Sequence, residues 1–160
     1  MSKIDVAILM GSKTDADVMR EAANLLTEFG ISNEMKVLSA HRTPKETSEF
    51  AENFSKNGGK IFICGAGVSA ALAGVVSAHT TLPVIGVPVD GSPLNGMDAL
   101  LSTVQMPPGV PVACVAIGKA GAKNAAILAV RILSLSDASL EKKLDKFRED
   151  NRKKILDTKL

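Results

Sequence analysis

The sequence predicts a three-layer α/β domain, with helices on both faces of a doubly wound, five-stranded parallel sheet. Three features predict it. Five short runs are apolar almost throughout, as strands covered on both faces require. Between them lie longer segments whose apolar residues recur with helical spacing. Glycine, proline or a helix-capping residue stands at most of the junctions.

Ile4 to Met10 is the first strand. Gly11-Ser-Lys-Thr-Asp15 is a turn, and the helix after it runs to Phe29, with Val18, Ala22, Leu25, Leu26 and Phe29 on one face. Gly30 stops it. A shorter strand, Met35 to Leu38, leads into Ser39-Ala-His-Arg-Thr-Pro44. There a second helix starts: Thr43 is placed at its N-cap, Pro44 at the first helical position, and Glu46 completes a capping box. This helix reaches Lys56 with Phe50, Ala51 and Phe54 turned inward, and Asn57-Gly-Gly59 ends it.

Ile61 to Cys64 is strand three, ending in Gly65-Ala-Gly67, and a helix of small residues follows from Ser69 to Ala78. Pro83 to Pro88 is strand four. Asp90 to Asn95 reads as a loop, Gly96 to Val104 as a short helix and Met106-Pro-Pro-Gly109 as a rigid connection. Pro111 to Ile117 is strand five, and Lys119 to Leu135 an alanine-rich helix. Such alternation, without repeat, linker or low-complexity stretch, assembles as a flavodoxin-like domain over residues 1–136. Residues 137–160 add one helix to the same domain. Asp137 caps it, and Leu140, Leu144, Phe147 and Ile155 form a stripe too thin for the main core. Of the two places open to it, the domain surface or a neighbouring subunit, docking on the neighbour is the expectation.

A chain of 160 residues suits one domain with one core. It has no Trp or Tyr, which removes the stacking platforms used for single-stranded nucleic acid. A formal charge of +2 leaves no broad footprint for a phosphate backbone, and the excess lies in the last helix: eight Lys/Arg against six Asp/Glu from Asp137 onward, eleven of each before it. Cys64 and Cys114 fall in apolar strand runs and read as buried, reduced thiols. No Cys/His cluster has metal-ligand spacing. No apolar run is long enough to span a bilayer, and Met-Ser-Lys-Ile-Asp lacks the pattern of an export signal. The expected location is the cytoplasm, with neither membrane nor nucleic acid as partner.

The chemistry gathers in three loops. Ser39-Ala-His-Arg-Thr-Pro44 sets a proton-transfer group, His41, beside an anion-binding fork, Arg42, at a helix N-terminus. Arg42 is expected to hold a phosphorylated substrate while His41 moves a proton on it; a helix cap with a surface His-Arg pair is the plainer alternative. Ser12 and Thr14 in the first loop suit a phosphate and Asp15 suits sugar hydroxyls; the plainer alternative is that Asp15 or Thr14 only caps the helix. The first loop matches neither Gly-x-x-x-x-Gly-Lys-Ser/Thr nor Gly-x-Gly-x-x-Gly. Gly65 and Gly67 admit either a flat ligand or a tightly packed helix. His79, at a helix end, reads as structural or interfacial. Gly118-Lys-Ala-Gly121 lets the last sheet helix start close to its neighbours. In an open parallel sheet the loops after strands one, two and three share the carboxyl edge, where ligands bind.

Taken together, Met10-Gly-Ser-Lys-Thr-Asp15, Ser39-Ala-His-Arg-Thr-Pro44, Gly65-Ala-Gly67, Leu82-Pro-Val-Ile-Gly-Val-Pro88, Ser102-Thr-Val-Gln-Met-Pro107 and Asn124-Ala-Ala126 resemble the class I PurE family, the N5-carboxyaminoimidazole ribonucleotide mutases of purine (IMP) synthesis. The resemblance covers nearly the whole chain. It implies a homo-octamer with sites at subunit contacts, a small ribonucleotide substrate, and no metal or organic cofactor. It implies that Ser12, Asp15 and Arg42 bind the ribonucleotide, that Ser39, Ala66 and Gly67 line the pocket, and that His41 is the general acid/base as the carboxylate moves from N5 to C4. Arg42 follows the class I pattern, since class II relatives, which use CO2 directly, typically carry Lys there. The chain departs from the family where Gly-Gly-Ala-Ala-His-Leu-Pro-Gly is usual. Here Gly67-Val-Ser-Ala-Ala-Leu-Ala-Gly74 puts Val68 for glycine, Ala71 for histidine and Ala73 for proline, which bears on pocket shape and substrate preference. Two other readings stand beside the mutase: direct carboxylation of aminoimidazole ribonucleotide or a related ring, and a nucleotide- or flavin-binding module without catalysis.

Overall fold

The computed structural model describes residues 4–159. Strands β1 (Val6–Met10), β2 (Asn33–Val37), β3 (Ile61–Gly67), β4 (Val84–Val89) and β5 (Ala113–Cys114) form one parallel sheet in the order β2-β1-β3-β4-β5. Helices α1 (Ala16–Glu28), α2 (Pro44–Lys56), α3 (Leu72–Ala78), α4 (Met97–Val104), α5 (Gly118–Ser134) and α6 (Ala138–Leu156) cover it. This is the flavodoxin-like, doubly wound arrangement.

Strand alternation divides the core into two layers. Val6, Ile8 and Met10 of β1, with Ile61 and Ile63 of β3, face α1 and α5. Ala7 and Leu9, with Phe62 and Cys64, face α2 and α3, where Phe50, Phe54 and Phe62 pack ring against ring. Two close approaches explain two glycines. A Cβ at Gly121 would overlap the Ala116 carbonyl, so only glycine lets α5 start this near β5. A Cβ at Gly65 would overlap the Met19 thioether of α1.

Several boundaries differ from the expectation. β3 continues to Gly67 because Gly65, Ala66 and Gly67 stay paired with Val87, Pro88 and Val89 of β4. Gly65-Ala-Gly67 is therefore strand, not loop. α3 starts at Leu72 rather than Ser69, since Val68 has φ 57 and breaks the helical path. β5 shrinks to Ala113–Cys114: it is an edge strand, and Pro111 has no N–H to donate. Cys114 is in consequence only half-buried, unlike Cys64, whose burial pushes its thiol well above its ordinary value. The capping box at Thr43 and Glu46 does not form, because the Thr43 hydroxyl turns back to Ser39. A capping box appears instead at Ser12 and Asp15, on a single 3-10 turn over Lys13–Asp15.

The stripe on α6 also needs correction. Leu140 and Leu144 are buried in the core shared by α1 and α5, and Phe147 meets Phe29 with ring centroids 5.6 Å apart. Lys143 Nζ donates to the Phe29 carbonyl at 2.6 Å, a cation on the carbonyl end of α1. The first half of α6 thus closes its own domain. Of the large apolar side chains of α6, only Ile155 and Leu156 at the far end stay largely exposed, at 76% and 65%. Leu144→Ala should therefore destabilise the fold by about 2–4 kcal/mol, whereas Ile155→Ala should leave the unfolding transition of the isolated fold within about 0.5 kcal/mol. Denaturant titration of both variants distinguishes these; equal effects would contradict the packing.

Candidate functional site

Strand order reverses between β1 and β3: β2 lies on one side of β1, and the chain then crosses to the other. At such a reversal the flanking crossovers leave opposite faces and open a crevice at the carboxyl edge. A cavity of about 580 Å³ lies there, within the range of small-molecule sites. Ser12, Asp15, Ser39, His41, Arg42, Ala66 and Gly67 all line it. The structure thus brings every sequence-expected site residue to one place, from the ends of β1, β2 and β3.

The loop after β2 is held by a knot of hydrogen bonds around Ser39, which is buried. The Ser39 N–H donates to the Thr43 hydroxyl at 2.8 Å, and the Thr43 N–H and hydroxyl donate to the Ser39 carbonyl at 2.9 and 3.1 Å. Buried Thr47 donates to the carbonyls of Thr43 and Ser39. These bonds fix the turn that carries His41 and Arg42. Arg42 Nε donates to the Ser39 hydroxyl at 3.3 Å and its Nη2 to the Gly11 carbonyl, which ties the loop after β2 to the loop after β1. A guanidinium has five N–H donors, so donors remain for an anion. His41 is exposed at the cavity, and neither ring nitrogen has a protein partner among the described residues.

In the loop after β1, the Asp15 carboxylate accepts from the Ser12 N–H at 3.1 Å and the Thr14 hydroxyl at 3.3 Å. Asp15 thus caps the turn and also lines the cavity. Burial pushes its carboxyl above the ordinary value, against the opposing pull of the Ser12 N–H, the Thr14 hydroxyl and the Arg42 charge.

The two glycines of β3 have different roles. Gly65 makes room for Met19, whereas Gly67 lines the cavity beside Val89 of β4. Val68, Ser69, Ala71 and Leu72 continue that wall. Val68 is a β-branched residue held at φ 57, a conformation costing about 1–3 kcal/mol. Asp90 also lines the cavity and was not anticipated. The signal was available: it follows β4, which pairs with β3 up to Gly67 and so ends at the same edge. His79 lies outside the cavity at the end of α3, with Nδ1 3.1 Å from Glu52 Oε1. Among the described residues no group of three or more His, Cys, Asp and Glu side chains has a metal-holding arrangement.

Fold and site together define a flavodoxin-like protein whose cavity at the topological switch point carries charged and hydroxyl side chains on a largely apolar lining. Comparison with known proteins narrows this. The family model described as AIR carboxylase matches residues 5–154. The N5-carboxyaminoimidazole ribonucleotide mutase of Saccharolobus solfataricus is 54% identical over 155 residues, covering 97% of each chain. That of Bacillus subtilis is 52% identical over 153 residues, 96% of this chain and 94% of its own. The crystal structure of Treponema denticola PurE superposes with a TM-score of 0.86 at 33% identity, over 94% of this chain and 93% of the other. The chain belongs to the AIR carboxylase (PurE) family.

The Asp15 environment makes a pH prediction. A carboxyl whose folded pKa lies above its unfolded one binds protons more readily in the folded state. Its contribution to stability is therefore greatest below the ordinary value of 3.8 and is lost as pH rises through the raised folded value. Relative to Asp15→Asn, which does not titrate there, wild-type protein should lose stability as pH climbs from 3.8 and then level off. Denaturant unfolding of both proteins across this range checks the sign; a difference that grows in favour of wild type with pH contradicts it.

Proposed function

We propose that the protein catalyses the N5-carboxyaminoimidazole ribonucleotide mutase reaction, moving a carboxylate from the exocyclic nitrogen to C4 of the ring. The observation that carries this reading is one cavity holding an imidazole, a guanidinium, a hydroxyl and a carboxylate at the switch point. The names of relatives about half identical over nearly the whole chain support it.

In this proposal Arg42, Ser12 and the N–H groups of the first loop hold the phosphate, and Asp15 accepts from ribose hydroxyls. Ser39 orients Arg42, while Ala66 and Gly67 let the flat ring lie close to the sheet edge. The N–CO2 bond breaks with its electron pair returning to nitrogen, which takes a proton from His41. Carbon C4 then attacks the retained CO2 and yields its proton to the same imidazole, restoring both the aromatic ring and the acid. Retention replaces an encounter from solution by a local one. The carboxylate shift involves no net oxidation, and the proposal includes neither metal nor organic cofactor. A cytoplasmic site of action belongs to it, since a charged nucleotide does not cross a bilayer unaided. Direct carboxylation of aminoimidazole ribonucleotide is the second reading, favoured by the description of the matching family. Assays of both substrates, with and without bicarbonate, separate the two.

His41→Asn removes the proton carrier but little volume, and should lower turnover by about 10²–10⁴-fold with a much smaller effect on ribonucleotide binding. His79→Asn, outside the cavity, should keep most activity. A His41→Asn enzyme within a fewfold of wild type would sink the mechanism.

A homo-octamer with sites at subunit contacts is also proposed. Ile155 and Leu156 on α6, and the exposed α4 side chains Met97, Leu101 and Val104 with nearby Leu94, support it as apolar surface left uncovered in one chain. Light scattering should give the mass of eight 16.7 kDa chains. Replacing Ile155 and Leu156 by Glu should shift the protein to smaller species while the fold is retained. A monomeric wild type would contradict the assembly.

A further inference from the structure

Val68 is out of place by every local criterion. It holds φ 57, a left-handed conformation that β-branched residues rarely adopt. Glycine would hold the same backbone without penalty. Within its own chain the isopropyl group gains little in return from packing, because it is 57% exposed there. It stands on the cavity wall, immediately after the last paired residue of β3. A strained, exposed, apolar side chain at a ligand cavity calls for a use that appears only when the cavity is filled.

The cavity is divided by chemistry. Its β2 and β1 side carries Arg42, His41, Ser12 and Asp15, with Val18 and Ala40 as its apolar members. Its β3 and β4 side carries Ala66, Gly67, Val68, Ala71, Leu72 and Val89, with Ser69 and Asp90 as the polar members. CO2 has neither charge nor dipole, so hydrogen bonds hold it weakly; it is retained where water is kept out and the exit is covered. Val68 is the largest exposed apolar side chain on that wall.

We propose that Val68 covers the apolar side of the filled cavity and retains the released CO2 for recapture at carbon, as a positioning residue rather than a proton carrier. This rests on the mutase activity proposed above. The step is the one already balanced: the C–N bond breaks, nitrogen takes a proton, and CO2 either bonds to C4 with release of the C4 proton or escapes. Escape leaves free aminoimidazole ribonucleotide. The side chain at position 68 sets the ratio of these two fates.

The test uses full-length wild type, Val68→Gly and Val68→Ala with carbamate substrate carrying a ¹³C carboxylate, in buffer containing unlabelled bicarbonate. Free aminoimidazole ribonucleotide, C4-carboxylated product and its retained label are measured together. Both variants should release at least about threefold more free amine per carboxylated product and retain less label, as a less excluded site predicts. Val68→Gly should also raise Tm by about 2–6 °C, because the strain is relieved. Val68→Ala keeps a Cβ on the left-handed backbone and should gain less, which separates loss of the wall from relief of strain. Wild-type turnover with the same product ratio in both variants overturns the role of Val68 alone. So does a lowered Tm in Val68→Gly, or loss of all turnover in either variant, since the phosphate and proton-transfer groups remain in place. A wild type that forms no C4-carboxylated product from the carbamate overturns the activity itself.

Discussion

Because β2 lies on one side of β1 and β3 on the other, the two crossovers that flank β1 cannot close over its carboxyl end. Every strand is parallel, so all the strand ends that carry chemistry meet at that one edge. Ser12 and Asp15 arrive from β1, Ser39 to Arg42 from β2, Ala66 to Val68 from β3 and Asp90 from β4. Residues up to 78 positions apart in the chain become neighbours without any of them leaving the loop next to its own strand.

What rigidifies this meeting point is a short-range polar network. The hydroxyls of Thr43 and Thr47 satisfy the Ser39 backbone where the chain turns from β2 into α2. Arg42 then reaches across to the Gly11 carbonyl and locks two loops together. The same guanidinium is the proposed phosphate anchor, so binding and loop geometry share one residue. Asp15 is shared in the same way between the Ser12 turn and the cavity. If the proposed ligand contacts are these structural ties, the site is already assembled before a ligand arrives.

Most of the fold was legible because the buried strands of a parallel sheet are apolar on both faces and read as unbroken runs. β1 and β4 came out nearly whole for that reason. The errors fell where pairing rather than composition decides. Gly65-Ala-Gly67 looks like a loop, yet β4 supplies partners for each of the three residues. Pro111 to Ile117 looks like a strand, yet at the sheet edge only Ala113 and Cys114 are paired. The thin stripe on α6 looked too narrow for a core, but Phe29 and Lys143 complete the contact from outside the stripe.

The sequence by itself determined the alternation of strands and helices, the loops that hold His41, Arg42, Ser12 and Asp15, and the kinship with the AIR carboxylase family. Those properties depend on residue type and spacing along the chain, which local physical chemistry reads directly. The tertiary structure alone decided which glycine serves packing and which lines the cavity, the inclusion of Asp90 in the site and the conformation of Val68. Each of these depends on atoms from distant strands: Met19 against Gly65, Val89 beside Gly67, and the end of β3 beside the end of β4. Spacing along one segment carries no record of such neighbours, because sheet register is set by pairing between segments.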